Sequence, residues 1–551
     1  MERELDARHQ ARAWTLLLVA CGIVWFAVLG VRPLFNPDEG RYAQIPAEML
    51  ASGDFTVPHL DGFVYLEKPP LQYWATALAL AVFGHNEWAA RLFTAGSAAA
   101  ALVFVYLLGA RAFGRVRALS AAAMTASMLL YVFMGQLITL DMALGCFLTI
   151  AVASFGLAQL EREVAPARSR RWMLGCWAAM AAATLTKGLV GLVIPGAVLV
   201  LYTLLQRDFA CWRHLLLGRG LALYLALTLP WFVLVERAQP GALNFLIIHE
   251  HFQRYLTRVH DRYQPWWYFL AVLVLGSLPW LPQVARALAG GWRANAAPGR
   301  FDVSRLLWVS AAFTLLFFSL SDSKLAPYIV PVLPPLALIA SARGPAASRD
   351  LAIAALLELA LGVALAVAIV VYGQRPLSGD PAATFAALRP WLWGIATALG
   401  LTGAAVLTVR RVSFDGAAQL LALSGFGIAL ALIAGGATSV AGRYSGKALF
   451  AAAGPLAASA ALYSVDTFDW TLPFYTGRLV TPVLWRGELD FGLKLAPSLG
   501  VGTLEEFESR WRASPAAYAL VPHAMHRRLA ADGLEMHLLA QDFDNVFVSR
   551  R

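Results

Sequence analysis

The chain has 551 residues, of which 59% are hydrophobic and only 14% are charged, with a formal net charge of +10 at pH 7. Soluble proteins are about half apolar and a quarter charged, so this composition excludes an ordinary soluble domain and predicts an integral membrane protein. The basic residues are scattered among apolar runs and do not form a basic domain, which argues against a nucleic-acid partner.

The first apolar run, 14–31, follows a short arginine-bearing segment and is not followed by a small-residue cleavage site. We therefore predict a retained membrane helix and not a cleaved signal. The four cysteines lie in or beside apolar runs without a CxxC pattern. Neither a disulfide framework nor a zinc ribbon is expected.

Apolar runs long enough to cross a membrane recur along the chain. A span needs about 17–25 apolar residues, and on that measure we predict about thirteen transmembrane helices. They cover 14–31, 88–110, 117–138, 142–160, 172–187, 188–206, 214–235, 266–285, 303–320, 325–342, 350–373, 388–409 and 417–437. The segment from Pro70 to Gly84 would reach only about 22 Å as a helix, so we expect it to lie at the membrane interface.

The arginines orient these spans. With the N-terminus inside, every inner connection carries at least two arginines, for example 111–117, 161–171 and 207–213, as the positive-inside rule requires. Counting 70–84 as a span would place 111–117 outside and break this pattern. The outer side therefore receives the loop 32–87 and the last region of the chain.

We predict an α-helical polytopic membrane domain over 1–437, including the outer loop 32–87 with its juxtamembrane helices. Residues 438–551 have alternating segments, acidic patches and one helical pattern. These features are typical of a small soluble α/β domain.

The outer loop begins with a helix signal, Asn36-Pro37 followed by Asp38 and Glu39. Asparagine is a good N-cap and proline a good first helical residue, so both acids could simply offset the helix dipole. Arg41 and Tyr42 would share the helix face of Asp38, because they follow it by three and four positions.

Glu67 and Lys68 come next, and the prolines behind them favour extended backbone. Tyr65 lies in the same YLEKPP segment. Charges held beside lipid are costly and point to a functional site.

Lys68, Lys187 and Lys324 are three of only five lysines, and all three fall at the outer ends of predicted spans. Lysines converging on one face would suit an anion site between helices, although lysines at span ends also snorkel to the interface. Asp141, in LITLDMALG, is also at an outer end. It either caps the next helix or joins the site.

The outer loop 236–265 gathers His249, Glu250, His251 and Arg254 before two tryptophans. Its HEH triplet matches no standard zinc motif, so a divalent metal at Glu67, His249 and His251 is only a weak candidate. The basic residues also suit phosphate head groups, or the segment is a plain interfacial helix. Tyr328 opens a proline-rich span that exposes backbone groups, which is tolerated only in protein or a cavity.

Five segments occur in order: PDEGRYA, YLEKPPLQYW, ITLDMAL, TKGLVGLVIPG and SKLAPYIVPVLP. Together they resemble the membrane glycosyltransferases of the GT-C fold, and among these the 4-amino-4-deoxy-L-arabinose lipid A transferases, which are related to protein O-mannosyltransferases. The resemblance is close over about 14–340. It implies transfer of aminoarabinose from undecaprenyl phosphate to lipid A phosphates on the periplasmic side of the bacterial inner membrane. Such transfer lowers surface charge and gives resistance to polymyxin and cationic peptides.

The resemblance implies roles for the unusual residues. It predicts one displacement at the anomeric carbon, with inversion, in which fixed cations stabilise the leaving phosphate without a required cofactor. The catalytic set is Asp38, Asp141 and Lys68. The residues expected to bind the donor phosphate are Arg41, Lys68, Arg254 and Tyr328. Those expected to orient the sugar are Glu67, Tyr42 and Tyr65. Those expected to support the site are Lys187, Lys324 and Glu39. We expect a monomer that meets an undecaprenyl-linked donor, lipid A and membrane lipid.

Three other classes of function remain open. Another polyprenyl-phosphate-sugar transferase, such as a protein O-mannosyltransferase, would use the same type of lipid-linked donor but a different acceptor. A lipid transporter or flippase should place charges near mid-membrane and show repeats. A lipid-binding scaffold would not need paired acids and lysines in separate loops.

Overall fold

The computed structural model describes residues 2–253, 263–293, 295–342, 347–375 and 377–550. The chain divides into two compact units. The helical unit comprises Met1–Val28, Phe93–Pro376 and Arg389–Ile433, and the mixed unit comprises Leu29–Leu92, Leu377–Leu388 and Ala434–Arg551. Each unit is described by itself.

The first half of the chain is helical apart from one short hairpin. The hairpin strands are β1 (His59–Leu60) and β2 (Phe63–Val64). The helices are α1 (Glu2–Ala27), α2 (Asp38–Ser52), α3 (Leu71–Phe83), α4 (Glu87–Phe113), α5 (Arg115–Ser127), α6 (Leu129–Gln136), α7 (Leu140–Glu161), α8 (Pro166–Lys187), α9 (Val190–Gln206) and α10 (Leu217–Ala238).

Helices continue to residue 452. They are α11 (Ala242–Asn244), α12 (Tyr268–Gly276), α13 (Leu281–Gly290), α14 (Val303–Leu320), α15 (Leu333–Ala342), α16 (Ala347–Gly373), α17 (Asp380–Val409), α18 (Phe414–Leu430), α19 (Ala437–Ser439), α20 (Ala441–Tyr444) and α21 (Lys447–Ala452). Two π-helical stretches cover Phe245–Gln253 and Ala431–Gly436, and two 3-10 turns cover Phe209–His214 and Ala326–Val332.

The C-terminal region alternates strands and short helices. The strands are β3 (Ala461–Val465), β4 (Thr481–Val483), β5 (Ala517–Pro522), β6 (His537–Gln541) and β7 (Asn545–Ser549). The helices are α22 (Leu472–Thr476), α23 (Asp490–Leu495), α24 (Leu504–Ala513) and α25 (His523–Ala531), with 3-10 turns at Gly487–Leu489 and Pro497–Leu499.

Eight helices in the described part of the chain are long and apolar enough to cross a membrane, namely α1, α4, α7, α10, α14, α16, α17 and α18. A ninth span results if α5 and α6, bent by 66°, are counted as one. The multi-span helical fold class is therefore confirmed. The count of thirteen is not, because runs such as 190–206 form helices shorter than a full span.

The sheet of the mixed unit has the order β4-β3-β5-β7-β6. β3 pairs in parallel with β4 and β5, whereas β7 is antiparallel to β5 and β6. Alternating apolar residues of the strands pack against α24 around Val465, Phe507, Trp511, Val521 and Val548. This arrangement confirms the predicted small α/β domain.

The outer loop belongs to the same compact unit as this sheet. Asp61 Oδ1 accepts a hydrogen bond from Val480 N at 2.6 Å, and Tyr475 Oη accepts one from Leu34 N at 2.7 Å. Compactness thus groups residues 29–92 with the C-terminal region, whereas the sequence interpretation assigned the loop to the transmembrane domain.

Candidate active site

Helix α2 carries the first group of predicted site residues, and its start is fixed by Glu39. Arg32 and Arg91 both donate to the Glu39 carboxylate, and Phe35 N donates to it at 3.0 Å. Burial alone would raise the pKa of Glu39, but the two guanidinium charges outweigh burial and hold the pKa well below its usual range. Glu39 therefore anchors the start of α2, while its supporting role in the site stays a prediction.

The predicted N-cap is wrong. The Asn36 side chain does not cap α2; its Oδ1 accepts a hydrogen bond from Trp470 N at 2.8 Å. The acids do fall in the first turn, and Gly53 ends the helix in the left-handed conformation with φ of 73°. The Asn36 side chain instead accepts from a residue of the distant C-terminal region, a contact that sequence spacing cannot reveal.

Arg41 lies at the centre of the first group. Its side chain is 3% exposed and pairs with Asp38, which stays 47% exposed, and with Glu488. The guanidinium carbon lies 5.6 Å from the Tyr42 ring centroid. The predicted residues Asp38, Arg41 and Tyr42 of α2 therefore lie next to one another, and Asp38 is the most exposed of the three.

Two residues of the YLEKPP segment, Tyr65 and Glu67, interact electrostatically with Arg41. Burial acts to lower the pKa of Arg41, but the neighbouring Tyr65, Tyr42, Asp38 and Glu67 raise it above its usual range. Burial, reinforced by Glu67, raises the pKa of the Tyr65 phenol. The Arg41 guanidinium therefore stays charged at working pH.

Two buried polar atoms of this group have no hydrogen-bond partner among the residues the structure describes. They are Arg41 Nε and the Tyr65 hydroxyl. Buried donors are normally paired, and an unpaired one is costly. Both therefore remain available to an anionic or sugar ligand.

Lys68 is buried, with 8% of its surface exposed, and its Nζ donates to the Glu67 carbonyl at 2.7 Å. This contact with its own neighbour keeps the ammonium close to the extended Glu67-Lys68 backbone. The two prolines that follow make that backbone rigid.

A second group lies in the helical unit, where Lys187 donates a hydrogen bond to Asp141 Oδ1. Asp141 is in the first turn of α7, and Lys187 is in the last turn of α8. Each charge therefore also offsets a helix dipole. Lys187 Nζ lies 4.1 Å from the ring centroid of Tyr328, so these three predicted residues come together.

Lys324 lies elsewhere in the helical unit. It is 5% exposed, its Nζ donates to the Gln264 carbonyl at 3.0 Å, and it lies 5.7 Å from the Tyr263 ring centroid. Its contacts tie the start of the proline-rich span to the end of the outer loop.

The candidate metal ligands are only partly within the described structure. His249 Nδ1 lies 3.4 Å from Glu250 Oε1. The side chains of His251 and Arg254 lie outside the described residues. Among the side chains that are described, no group of three His, Cys, Asp or Glu residues could hold a metal ion.

Sequence reasoning missed four residues that shape these groups. Arg91 interrupts the apolar run 88–110, and a buried charge there was a usable signal together with Arg32. Glu488 and Trp470 contact Arg41 from the far end of the chain. Nothing local in the sequence points to them.

Two family models match the chain. Residues 67–233 match the dolichyl-phosphate-mannose-protein mannosyltransferase model, and residues 451–550 match the aminoarabinose transferase C-terminal domain. The chain is also similar to curated undecaprenyl phosphate-α-4-amino-4-deoxy-L-arabinose arabinosyl transferases. The one from Sodalis glossinidius is 36% identical over 61% of this chain and 59% of its own length. The one from Shewanella sediminis is 29% identical over 86% of both.

The chain spans about three fifths of the length of several of these relatives, but a solved structure covers nearly all of it. The crystal structure of ArnT from Cupriavidus metallidurans bound to undecaprenyl phosphate has a TM-score of 0.89 and 32% identity, over 98% of each chain. The fold is thus that of a membrane glycosyltransferase of the GT-C class. The chain belongs to the undecaprenyl phosphate-α-4-amino-4-deoxy-L-arabinose arabinosyl transferase family.

Proposed function

We propose that this protein transfers 4-amino-4-deoxy-L-arabinose from undecaprenyl phosphate to lipid A phosphate groups. The observation that carries the proposal is the agreement, over 98% of the chain, with a relative solved with undecaprenyl phosphate bound. The product lowers the negative charge of the outer surface and so gives resistance to polymyxin and other cationic peptides.

In the proposed reaction, a lipid A phosphate oxygen attacks the anomeric carbon of the sugar. The bond from that carbon to the undecaprenyl phosphate oxygen breaks and leaves its electron pair on the phosphate, which departs as a monophosphate. One displacement inverts the anomeric configuration. Because the acceptor is already anionic, a general base is unnecessary, and Asp38 orients the reactants.

The leaving phosphate gains negative charge, and fixed cations stabilise such charge without reorganising. Lys68 and Arg41 are assigned this role, with Tyr328 and Arg254 assisting. The buried Arg41 with its unpaired Nε supports the assignment.

The sugar and its amine are assigned to carboxylates and phenols. Asp141 and Glu67 would pair with the amino group, while Tyr42 and Tyr65 orient the ring. Lys187 and Lys324 support the site, since Lys187 holds Asp141 in place. No metal is proposed as a requirement; a divalent ion at Glu67, His249 and His251 is the alternative.

We propose that the protein resides as a monomer in the bacterial inner membrane, with its site and the domain 438–551 facing the periplasm. Support comes from the arginines of the inner connections. The functional division into a catalytic domain, 1–437, and this soluble domain rests on the sequence pattern.

The decisive experiment incubates the purified, lipid-reconstituted protein with lipid A, an acceptor peptide and either aminoarabinosyl or mannosyl polyprenyl phosphate. We expect aminoarabinose to appear on lipid A by mass spectrometry. Transfer of mannose to a peptide, with none to lipid A, would instead assign the protein O-mannosyltransferase reaction. Movement of intact carrier across the bilayer without transfer would indicate a flippase.

A further inference from the structure

A partly open apolar cavity of about 350 Å³, called the dry cavity below, lies in the helical unit between α7, α8, α9 and the start of α10. Phe155, Met173, Leu192 and Leu199 are among its lining side chains. The indole Nε1 of Trp177, also on the wall, already donates to the Leu215 carbonyl at 2.9 Å. Apolar cavities of this kind stay free of ordered water, and the void leaves wall atoms without contact partners.

A second, more open cavity of about 660 Å³ adjoins the first. The two share Val200 and Trp212 on their walls. The indole Nε1 of Trp212 donates to Thr203 Oγ1 at 2.9 Å, so this polar atom is also satisfied. The combined space runs from the dry interior to a mouth at the end of α9.

The mouth is positively charged. Arg213 lines it and makes no ion pair with any residue in the described ranges. The nearby acid Asp208 is fully buried and faces the Tyr202 hydroxyl at 3.5 Å. The mouth belongs to the arginine-bearing connection 207–213, which the positive-inside rule places on the cytoplasmic side.

The dimensions suit a lipid tail. From Leu192 to Leu204, α9 rises about 18 Å, close to half of a hydrocarbon core of about 30 Å. The wall residue Trp177 lies ten positions before Lys187 on α8, about 15 Å along the helix. Neither cavity is lined by Asp141, Lys187 or Tyr328, although the wall reaches Leu192, five positions after Lys187.

We propose that these two cavities bind an anionic glycerophospholipid of the inner leaflet, with one acyl chain in the dry cavity and the head-group phosphate at Arg213. The apolar wall selects the chain, and the unpaired guanidinium selects the anionic head group. This lipid is neither donor nor acceptor. It fills the gap between α8 and α9 and so supports the helix that carries Lys187.

Gly196 offers a direct test because it lines the dry cavity and a Cβ there would meet no atom within 4 Å. Gly196→Phe should fill the cavity without a backbone clash. Gly394, in α17, is equally open but lies outside both cavities, so Gly394→Phe is the matched control. Val200→Phe, at the junction of the cavities, is a second blocking variant.

The probe is phosphatidylglycerol with a photoreactive diazirine in its acyl chain, added to the full-length protein in nanodiscs. We expect cross-links on α8 and α9 peptides, reduced by at least about fivefold in Gly196→Phe and Val200→Phe and unchanged in Gly394→Phe. Arg213→Gln should keep the cross-links but lower the preference for phosphatidylglycerol over phosphatidylcholine by about fivefold.

Equal labelling of wild type and both blocking variants would overturn the proposal, as would labelling spread evenly over all spans. Undecaprenyl phosphate displacing the probe better than unlabelled phosphatidylglycerol would also overturn it, because the cavity would then belong to the donor tail. Size-exclusion profiles of the variants establish that each is folded before labelling.

Discussion

Arg91 donates a bidentate pair of hydrogen bonds to the Glu39 carboxylate, with Nε 2.9 Å from Oε1 and Nη2 3.0 Å from Oε2. The same guanidinium donates to the carbonyls of Leu29, Arg32 and Pro33. One side chain therefore binds both Glu39, in the first turn of α2, and the backbone carbonyls of the segment that leads into this helix. The loop bearing Asp38 and Arg41 depends on this contact for its position.

Arg91→Ala should destabilise the mixed unit by about 3–5 kcal/mol, because Glu39 loses one of its two arginine partners and three backbone carbonyls lose the same donor. Arg91→Lys should recover only part of this loss, since a lysine cannot form the fork. Thermal unfolding in detergent measures the effect. Arg510→Ala, which removes an exposed pair with Glu506, is the control and should change little. Equal melting temperatures for Arg91→Ala and the control would contradict the anchoring role.

Glu48 should make the mixed unit more stable in acid. Burial raises its pKa from 4.5 to about 7, although Asp61 N and Gly62 N donate to the carboxylate. Between these values the folded protein holds a proton that the unfolded chain has released, so the free energy of unfolding falls as pH rises. The full effect is about 3 kcal/mol at most.

Hydrogen exchange of the β1–β2 hairpin between pH 5 and pH 8 measures this dependence, after correction for the intrinsic exchange rate. Protection should fall towards pH 8 in the wild type and fall less steeply in Glu48→Gln, where Asp61, whose pKa burial also raises, still titrates. A steeper slope in Glu48→Gln than in the wild type would exclude Glu48 as the titrating group.

Lys68→Ala and Arg41→Ala should each lower kcat/KM for transfer by about 10²–10³, because each removes a fixed charge from the leaving phosphate. Lys494→Ala removes an equal charge from an exposed position in the same unit and is the control. It should stay within about twofold of wild type. Near-normal turnover in both site variants, with unchanged expression, would refute the assignment of these cations.

The Asp141–Lys187 pair should be coupled in turnover. Asp141→Asn and Lys187→Ala should each reduce transfer, and the double variant should lose less than the sum, because either single change already breaks the contact. A thermal-unfolding measurement separates the roles. If both single variants lose stability but keep wild-type kcat/KM, the pair is only structural.

Transfer should continue after dialysis against EDTA, because lysine and arginine supply the positive charge in the proposed reaction. Metal content by mass spectrometry and activity are measured on the same sample. Loss of activity that zinc or magnesium restores would show that a metal is required. His249→Ala and Glu67→Gln would then test whether the candidate ligands hold it.

The helices could be predicted from the sequence because a long run of apolar residues by itself indicates a helix in the membrane. Every predicted span falls on a helix or a broken pair of helices. The number of full spans was harder, because bends such as that between α5 and α6 depend on packing and not on composition. Short helices such as α9 are apolar without being long.

The sequence could nominate candidate site residues, whose roles stay predictions, but it could not give their contacts. The outer charges Asp38, Arg41 and Lys68 stood out because they gather beside a predicted span in a chain with few charges. Asp141 and Lys187, 46 positions apart, could be placed on one side only through the topology. The ion pair between Glu488 and Arg41 could not be predicted, because no local sequence pattern links positions so far apart.

The hydrogen bond from Trp470 to Asn36 joins residues 434 positions apart. During synthesis at about 5–20 residues per second, the segment 29–92 waits roughly 20–90 s before its partners in the sheet domain exist. For that interval the buried charges Glu39 and Arg41 lack part of their final surroundings. The segment that carries the proposed site residues is therefore among the first to be synthesised and among the last to reach its final contacts.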